Sequence, residues 1–272
     1  MSYPRRVQNT SLAEVHSFKT DDKRIARGVG RWFFVGMALV MIATSIAGFL
    51  PAIVEPSTRR APLTLLAGVH GIVFFMWLFL FLAQSVLVAN GRVDLHRRLG
   101  LTAIVLLTAM IPLGFATTTA MVRRGFDLSG DQHVDPHPDG ETSLDAPAAA
   151  LFNLAGLLQF SVLAVAAIGY RRRPNVHKRL MLWANTTLMI APIAHLFGHI
   201  PSNWLPPAVS EAAPLTVTIL FLLAPFAGDY LIEKRVRLLT AAMAGLFVFQ
   251  VFVPSVIAPS ATWHRFAEWM SQ

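Results

Sequence analysis

The sequence has no cysteine and little charge. The first absence excludes disulfides, cysteine-ligated iron–sulfur clusters, covalent haem attachment through C-x-x-C-H and any thiol nucleophile. Metal or redox chemistry must therefore rest on histidine, carboxylate or methionine. Charged residues make up 14% of the 272 positions and hydrophobic residues 54%, with a mean hydropathy of +0.54. That balance is too apolar for a soluble domain of this length and makes a bilayer the natural solvent. The formal net charge of +8 would point to nucleic acid in a soluble protein. Here the basic residues flank apolar runs of about 20 residues, the pattern of topology signals, and nucleic-acid binding is excluded.

What the sequence does contain is a series of such runs. Spans are expected at 31–54, 62–89, 99–122, 146–170, 179–200, 214–232 and 238–258, each long enough to cross a hydrocarbon core of about 30 Å. The fold class is all-α: a polytopic membrane protein with seven transmembrane helices. Segment 1–30 is polar, 31–258 forms the transmembrane domain and 259–272 an amphipathic tail whose WHRFAEW stretch suits the headgroup layer. Arg5 and Arg6 resemble a twin-arginine leader, but the apolar run starts too late and is too long, so a retained helix is expected. Of the 23 Lys and Arg residues, 18 lie before the first span or between spans two and three, four and five, and six and seven. The positive-inside rule then places the N-terminus in the cytoplasm and the C-terminus outside, in a bacterial inner membrane.

Two helix starts repeat. HRRLG from His96 overlays HKRLM from His177, aligning span three with span five and span two with span four. The units run in the same direction, which predicts a pseudo-twofold four-helix bundle of spans two to five with the others packed around it. The repeat pairs His96 with His177 at the cytoplasmic ends. His70 and His195 match in depth near the other face.

A histidine in hydrocarbon is costly unless its ring nitrogens find partners, so these residues are functional candidates. Two imidazoles on facing helices suit the axial positions of a b-type haem, with His70 and His195 as the first pair and His96 and His177 as a second. Gly68, Gly71, Ala194 and Gly198 leave room beside the first pair, and Pro192 should bend span five. The competing structural reading has these histidines hydrogen-bonding across the bundle to Gln84, Thr117, Asn153, Gln159 or Asn185. At the inner pair, Arg and Lys neighbours read as topology signals and contacts for anionic lipid. A third arrangement joins His70, His195 and His199 around a catalytic zinc, although the sequence places no carboxylate in the membrane near that face. Asp229 should form a boundary ion pair with Lys234 or Arg235. The acidic loop 123–147 alternates Asp131, His133, Asp135 and His137, a loose divalent-metal ligand set in an otherwise solvated segment.

HRRLG and HKRLM, with His70–Gly71 in the preceding span and A-P-I-A-H ending at His195, resemble a group of uncharacterised bacterial multi-pass membrane proteins. The four-helix layout with paired histidines is also similar to haem-binding bundles of the cytochrome b561 and haem A synthase type. The resemblance covers 66–199 and implies haem b, electron transfer, and a quinone or a redox partner. Leu151 stands where the repeat would place a counterpart of His70, which argues for one haem rather than two. The expected function is haem-linked electron transfer. The alternatives are a non-catalytic transporter or assembly-type protein, in contact with membrane lipid, and a zinc-dependent membrane hydrolase.

Overall fold

A computed structural model describes residues 7–131, 134–135, 144–200, 204 and 206–272. Seven of its helical stretches are long and apolar enough to cross a membrane: Trp32–Val54, Leu65–Ala89, Val93–Arg124, Ala146–Gly169, Pro174–Gly198, Pro207–Glu233 and Leu238–Ile257. The chain is a multi-pass membrane protein. Leu65, Leu101 and Val105 are among the many large apolar side chains left on the bundle surface, where hydrocarbon would solvate them.

Helix α1 runs over Val7–Val54, α2 over Leu65–Ala89, α3 over Val93–Arg124 and α4 over Ala146–Gly169. The fifth span consists of α5, Pro174–Thr187, and α6, Ile190–Gly198. Helices α7, Pro207–Glu233, and α8, Leu238–Ile257, complete the spans, and α9, Ala261–Ser271, follows. Helix α1 begins well before the first apolar run because no proline interrupts the chain between Pro4 and Pro51. Helix starts are capped locally: Thr64 accepts from the Ala67 amide, Asp145 from Ala148 and Ser260 from Trp263. Gly125, at φ +68°, ends α3 in the left-handed conformation that a glycine adopts without strain.

Spans two to five pack consecutively as a bundle, and α1, α7 and α8 pack around the fifth span. The fifth span is the central one. Its most apolar stretch is 61% buried, against 22–33% for the others, and its hydropathy of 1.4 is the lowest of the seven. A helix enclosed by protein needs fewer lipid-compatible side chains, and polar residues there can find partners. Trp183, Phe160, Met41 and Met110 fill the centre, with the Trp77 indole edge-on to Phe160 at 5.2 Å and its Nε1 donating to Asn185 Oδ1 at 3.1 Å.

The fifth span is broken rather than merely bent at Pro192. The break falls at Leu188–Met189, where the amides donate to carbonyls only three residues back, Leu188 to Asn185 and Met189 to Thr186. Pro192 has no N–H for the Leu188 carbonyl, and its ring crowds that same carbonyl, so the distortion appears four residues before the proline. Across from it, Gly48 of α1 lies against the Pro192 backbone, where an added Cβ would sit 2.4 Å from the Pro192 oxygen.

Alternation of the spans puts the turns after α1, α3, α6 and α8 at one end of the bundle, the loop end. There α9 lies against α3 and α4, with Trp263 Nε1 donating to the Pro147 carbonyl at 2.6 Å and His264 3.1 Å from Asp145. Within the acidic loop, Val134–Asp135 pairs in parallel with Leu144–Asp145. At the opposite, basic end, Asp229 does not pair with Lys234 or Arg235 as expected. It accepts from Arg179 Nε at 2.8 Å, from the Arg237 amide and from the Thr240 hydroxyl, while Glu233 takes the other side of the Arg179 guanidinium. Arg179 and Asp229 are both buried, and each is the partner that makes the other's charge tolerable away from water.

Candidate metal centre

The loop end brings together residues distant in sequence. His195 and His199 lie one turn apart on α6 and at its C-cap, a spacing that places both rings on one side of the helix. The chain leaving α3 turns tightly at Asp127–Gly130. Asp127 Oδ2 accepts from the Ser129 amide at 2.8 Å and from its hydroxyl, and Gly130, at φ +78°, returns its amide to the Asp127 carbonyl. Gly130 then accepts from the Arg60 and Ala61 amides at 2.7 and 3.0 Å, so the turn is tied to the segment before α2. The approach is so close that a Cβ at Gly130 would lie 2.2 Å from the Ala61 oxygen.

That turn swings Asp131 inward onto α6. Its Oδ2 lies 3.2 Å from His195 Nδ1 and 3.3 Å from His199 Nε2. One ligand atom from each of Asp131, His195 and His199 lies within 4.8 Å of the other two. On the other side of the His195 ring, Asp127 Oδ2 is 3.6 Å from Nε2, and the Phe49 ring packs at 4.7 Å. The Asp131 side chain is only 7% exposed. Burial alone would raise its pKa, but the hydrogen bond and charge of His195, with help from Ser129, hold it down to about 2. It is an anion throughout the neutral range.

Among the described residues, two atoms at the centre of this group are buried without a hydrogen-bond partner: Asp131 Oδ1 and His199 Nε2. The 3.3 Å approach of His199 Nε2 to Asp131 lacks hydrogen-bond alignment. Buried polar atoms of this kind are rare in proteins, and an ion or an ordered water satisfies them. Two imidazoles and a carboxylate with their ligand atoms converging fit zinc, which binds nitrogen at about 2.0–2.1 Å and carboxylate oxygen at about 2.0–2.2 Å.

Of the two histidine pairs drawn in the sequence, His96 and His177 meet, while His70 and His195 have separate partners. His70 stacks on Phe74 at 4.0 Å and lies 3.5 Å from the Thr117 hydroxyl, the cross-bundle partner proposed for it, and it is not one of the three converging residues. His96 and His177 face each other with ring centroids 6.2 Å apart and planes at 81°. His177 Nδ1 is 2.7 Å from the Ala167 carbonyl; His96 meets the Gln84 backbone, and its Nδ1 has no hydrogen-bond partner among the described residues. His133 and His137 lie outside the described residues, as does the Asp135 side chain.

From the sequence, His70, His195 and His199 are the expected zinc ligands, with no carboxylate beside them, and Asp131 groups with its loop neighbours. The structure supplies Asp131 and Asp127 from 64 or more positions away. Only the tight Asp-x-Ser-Gly-Asp turn, 127–131, signalled that the start of this loop is ordered rather than solvated. Comparison with family models, with curated proteins and with solved structures gave no match.

Proposed function

We propose that this chain is a zinc-dependent hydrolase of the membrane surface, with the metal held by Asp131, His195 and His199. The observation that carries the reading is the convergence of those three side chains, two of whose buried ligand atoms have no hydrogen-bond partner among the described residues. A zinc ion held by these three side chains would keep a fourth position for water, the pattern of catalytic rather than structural zinc, and would supply a nucleophile by lowering that water's pKa to about 7. His195 Nδ1 hydrogen-bonds to Asp131; a bound metal ion would take the place of that proton, and Asp127, 3.6 Å from Nε2, favours keeping the ring's remaining proton there. Phe49 fixes the ring from the α1 side. The basic residues place the opposite end of the bundle in the cytoplasm, so the site faces outward from a bacterial inner membrane. Reporter fusions at residue 30 and at the C-terminus should give cytoplasmic and external signals respectively, and the reverse pattern would contradict this orientation.

The test of the site is the metal content of the full-length protein purified in detergent. The expected result is about one zinc per chain, lost in His195→Ala, His199→Ala and Asp131→Ala and retained in His70→Ala. Protein that holds no zinc after incubation with the metal and desalting contradicts the proposal.

A second reading, a haem-binding electron carrier serving a quinone or a redox partner, rests on a different observation. His96 and His177 face each other, and the contact of His177 Nδ1 with Ala167 leaves its Nε2 as the ligand atom. A reduced-minus-oxidised α-band lost in His96→Ala and in His177→Ala supports it. Colourless protein from haem-replete cells contradicts it.

A further inference from the structure

The loop end holds five of the 23 basic residues, yet three of the five, Arg59, Arg60 and Arg124, gather beside the metal centre. At this end a topology signal would call for fewer positive charges, so these three need another explanation. Arg59 and Arg60 line a groove of about 370 Å³ together with Pro56, Ala61, Pro62 and Leu63. Arg124 reaches the groove's wall from α3: its Nη2 donates to the carbonyl of Pro62, one of the lining residues, at 3.3 Å and packs against Gly130. Its Nη1 is buried and has no hydrogen-bond partner among the described residues. A guanidinium with one buried donor unused is a charged group awaiting an acceptor, and the fork geometry of Arg matches phosphate oxygens. The groove is one residue from the metal ligand Asp131, because the Ala61 carbonyl touches Gly130.

We infer that Arg59, Arg60 and Arg124 bind an anionic phosphate group beside the Asp131–His195–His199 centre, and that the substrate of this site carries that phosphate. The inference deepens the proposed hydrolase and names its substrate class. The phosphate belongs either to a lipid headgroup or to a soluble phosphomonoester.

The test uses the full chain in neutral detergent micelles, incubated with zinc, with lipid retention followed by native mass spectrometry and metal content measured on the same samples. Wild-type protein should retain phosphatidylglycerol at least tenfold more strongly than diacylglycerol. The Arg59→Gln/Arg60→Gln double variant, changed only at the groove rim, should lose most of that preference, and adding Arg124→Gln should abolish it, with zinc content unchanged. Glycerol 3-phosphate that displaces the lipid identifies the headgroup alone as sufficient. Glycerol 3-phosphate that fails to displace it shows that the acyl chains are also required. A preference for phosphatidylglycerol that persists in both Arg variants, or no preference in wild type, overturns the inference. Loss of zinc with Arg-dependent lipid binding intact would instead fail the metal centre alone.

Discussion

Among the described residues, His199 Nε2 and Asp131 Oδ1 are buried without hydrogen-bond partners beside a second imidazole. A protein without cysteine has only such groups with which to hold zinc, and the choice among its nine histidines was the part that the sequence left open. His70 and His195 match in depth, but depth is one coordinate of three. The direction in which each ring points depends on helix rotation, and His70 turns to Phe74 and Thr117 while His195 turns to the acidic turn. A hydrogen bond deeper in the bundle shows the same dependence. Asn185 was one of several polar residues available to pair across helices, and its partner is the Trp77 indole. Replacing Asn185 by Leu strands that indole N–H in the core, where water cannot replace the lost acceptor. The variant should be less stable by about 1–2 kcal/mol, within the range of interhelical hydrogen bonds in membranes, measured by denaturant titration in detergent. Equal stability would show that the indole finds another acceptor.

Among elements, the fifth span decides where the site lies. Seven apolar runs and their ends were readable because lipid demands about 20 apolar residues whatever the packing. The break at Leu188–Met189 was only half readable: Pro192 marked a distortion, but the proline acts on the carbonyl four residues earlier, and α1 fits against the resulting shape through Gly48. Gly48→Ala forces a methyl to within 2.4 Å of the Pro192 oxygen, a backbone atom that cannot rotate away. The variant should lose about 1–3 kcal/mol, the usual cost of overpacking, and should displace α6 enough to weaken zinc retention. Thermal unfolding and metal content of the same preparation check both effects, and a variant with unchanged melting and zinc content would mean that α1 does not hold α6 in place. Gly36→Ala, with open space around it, is the control and should change neither.

On the scale of the whole molecule, a central helix ties the two ends of the bundle together. At the basic end Arg179 joins α5 to α7 through Asp229 and Glu233, and Thr240 of α8 closes on the same carboxylate. Asp229→Asn removes the charge that compensates a buried guanidinium and should cost about 3 kcal/mol, read as a lower denaturation midpoint. A change below 1 kcal/mol would mean that Glu233 alone neutralises Arg179. Membrane class, span number and the meeting of the two repeated helix starts were legible because hydropathy and local motifs set them. The metal centre was not, because its carboxylates come from a loop whose composition reads as solvated, and only the turn at 127–131 folds it back onto α6. The central claim is that this turn and α6 together build one metal site, and titrating metal-free protein with Co²⁺ tests it directly. A visible absorption band of low-symmetry, nitrogen- and oxygen-ligated cobalt should grow and saturate at one equivalent in wild type and in His70→Ala, and be missing from His199→Ala and Asp131→Ala. A band that never saturates, or that is unchanged in those last two variants, would contradict the account.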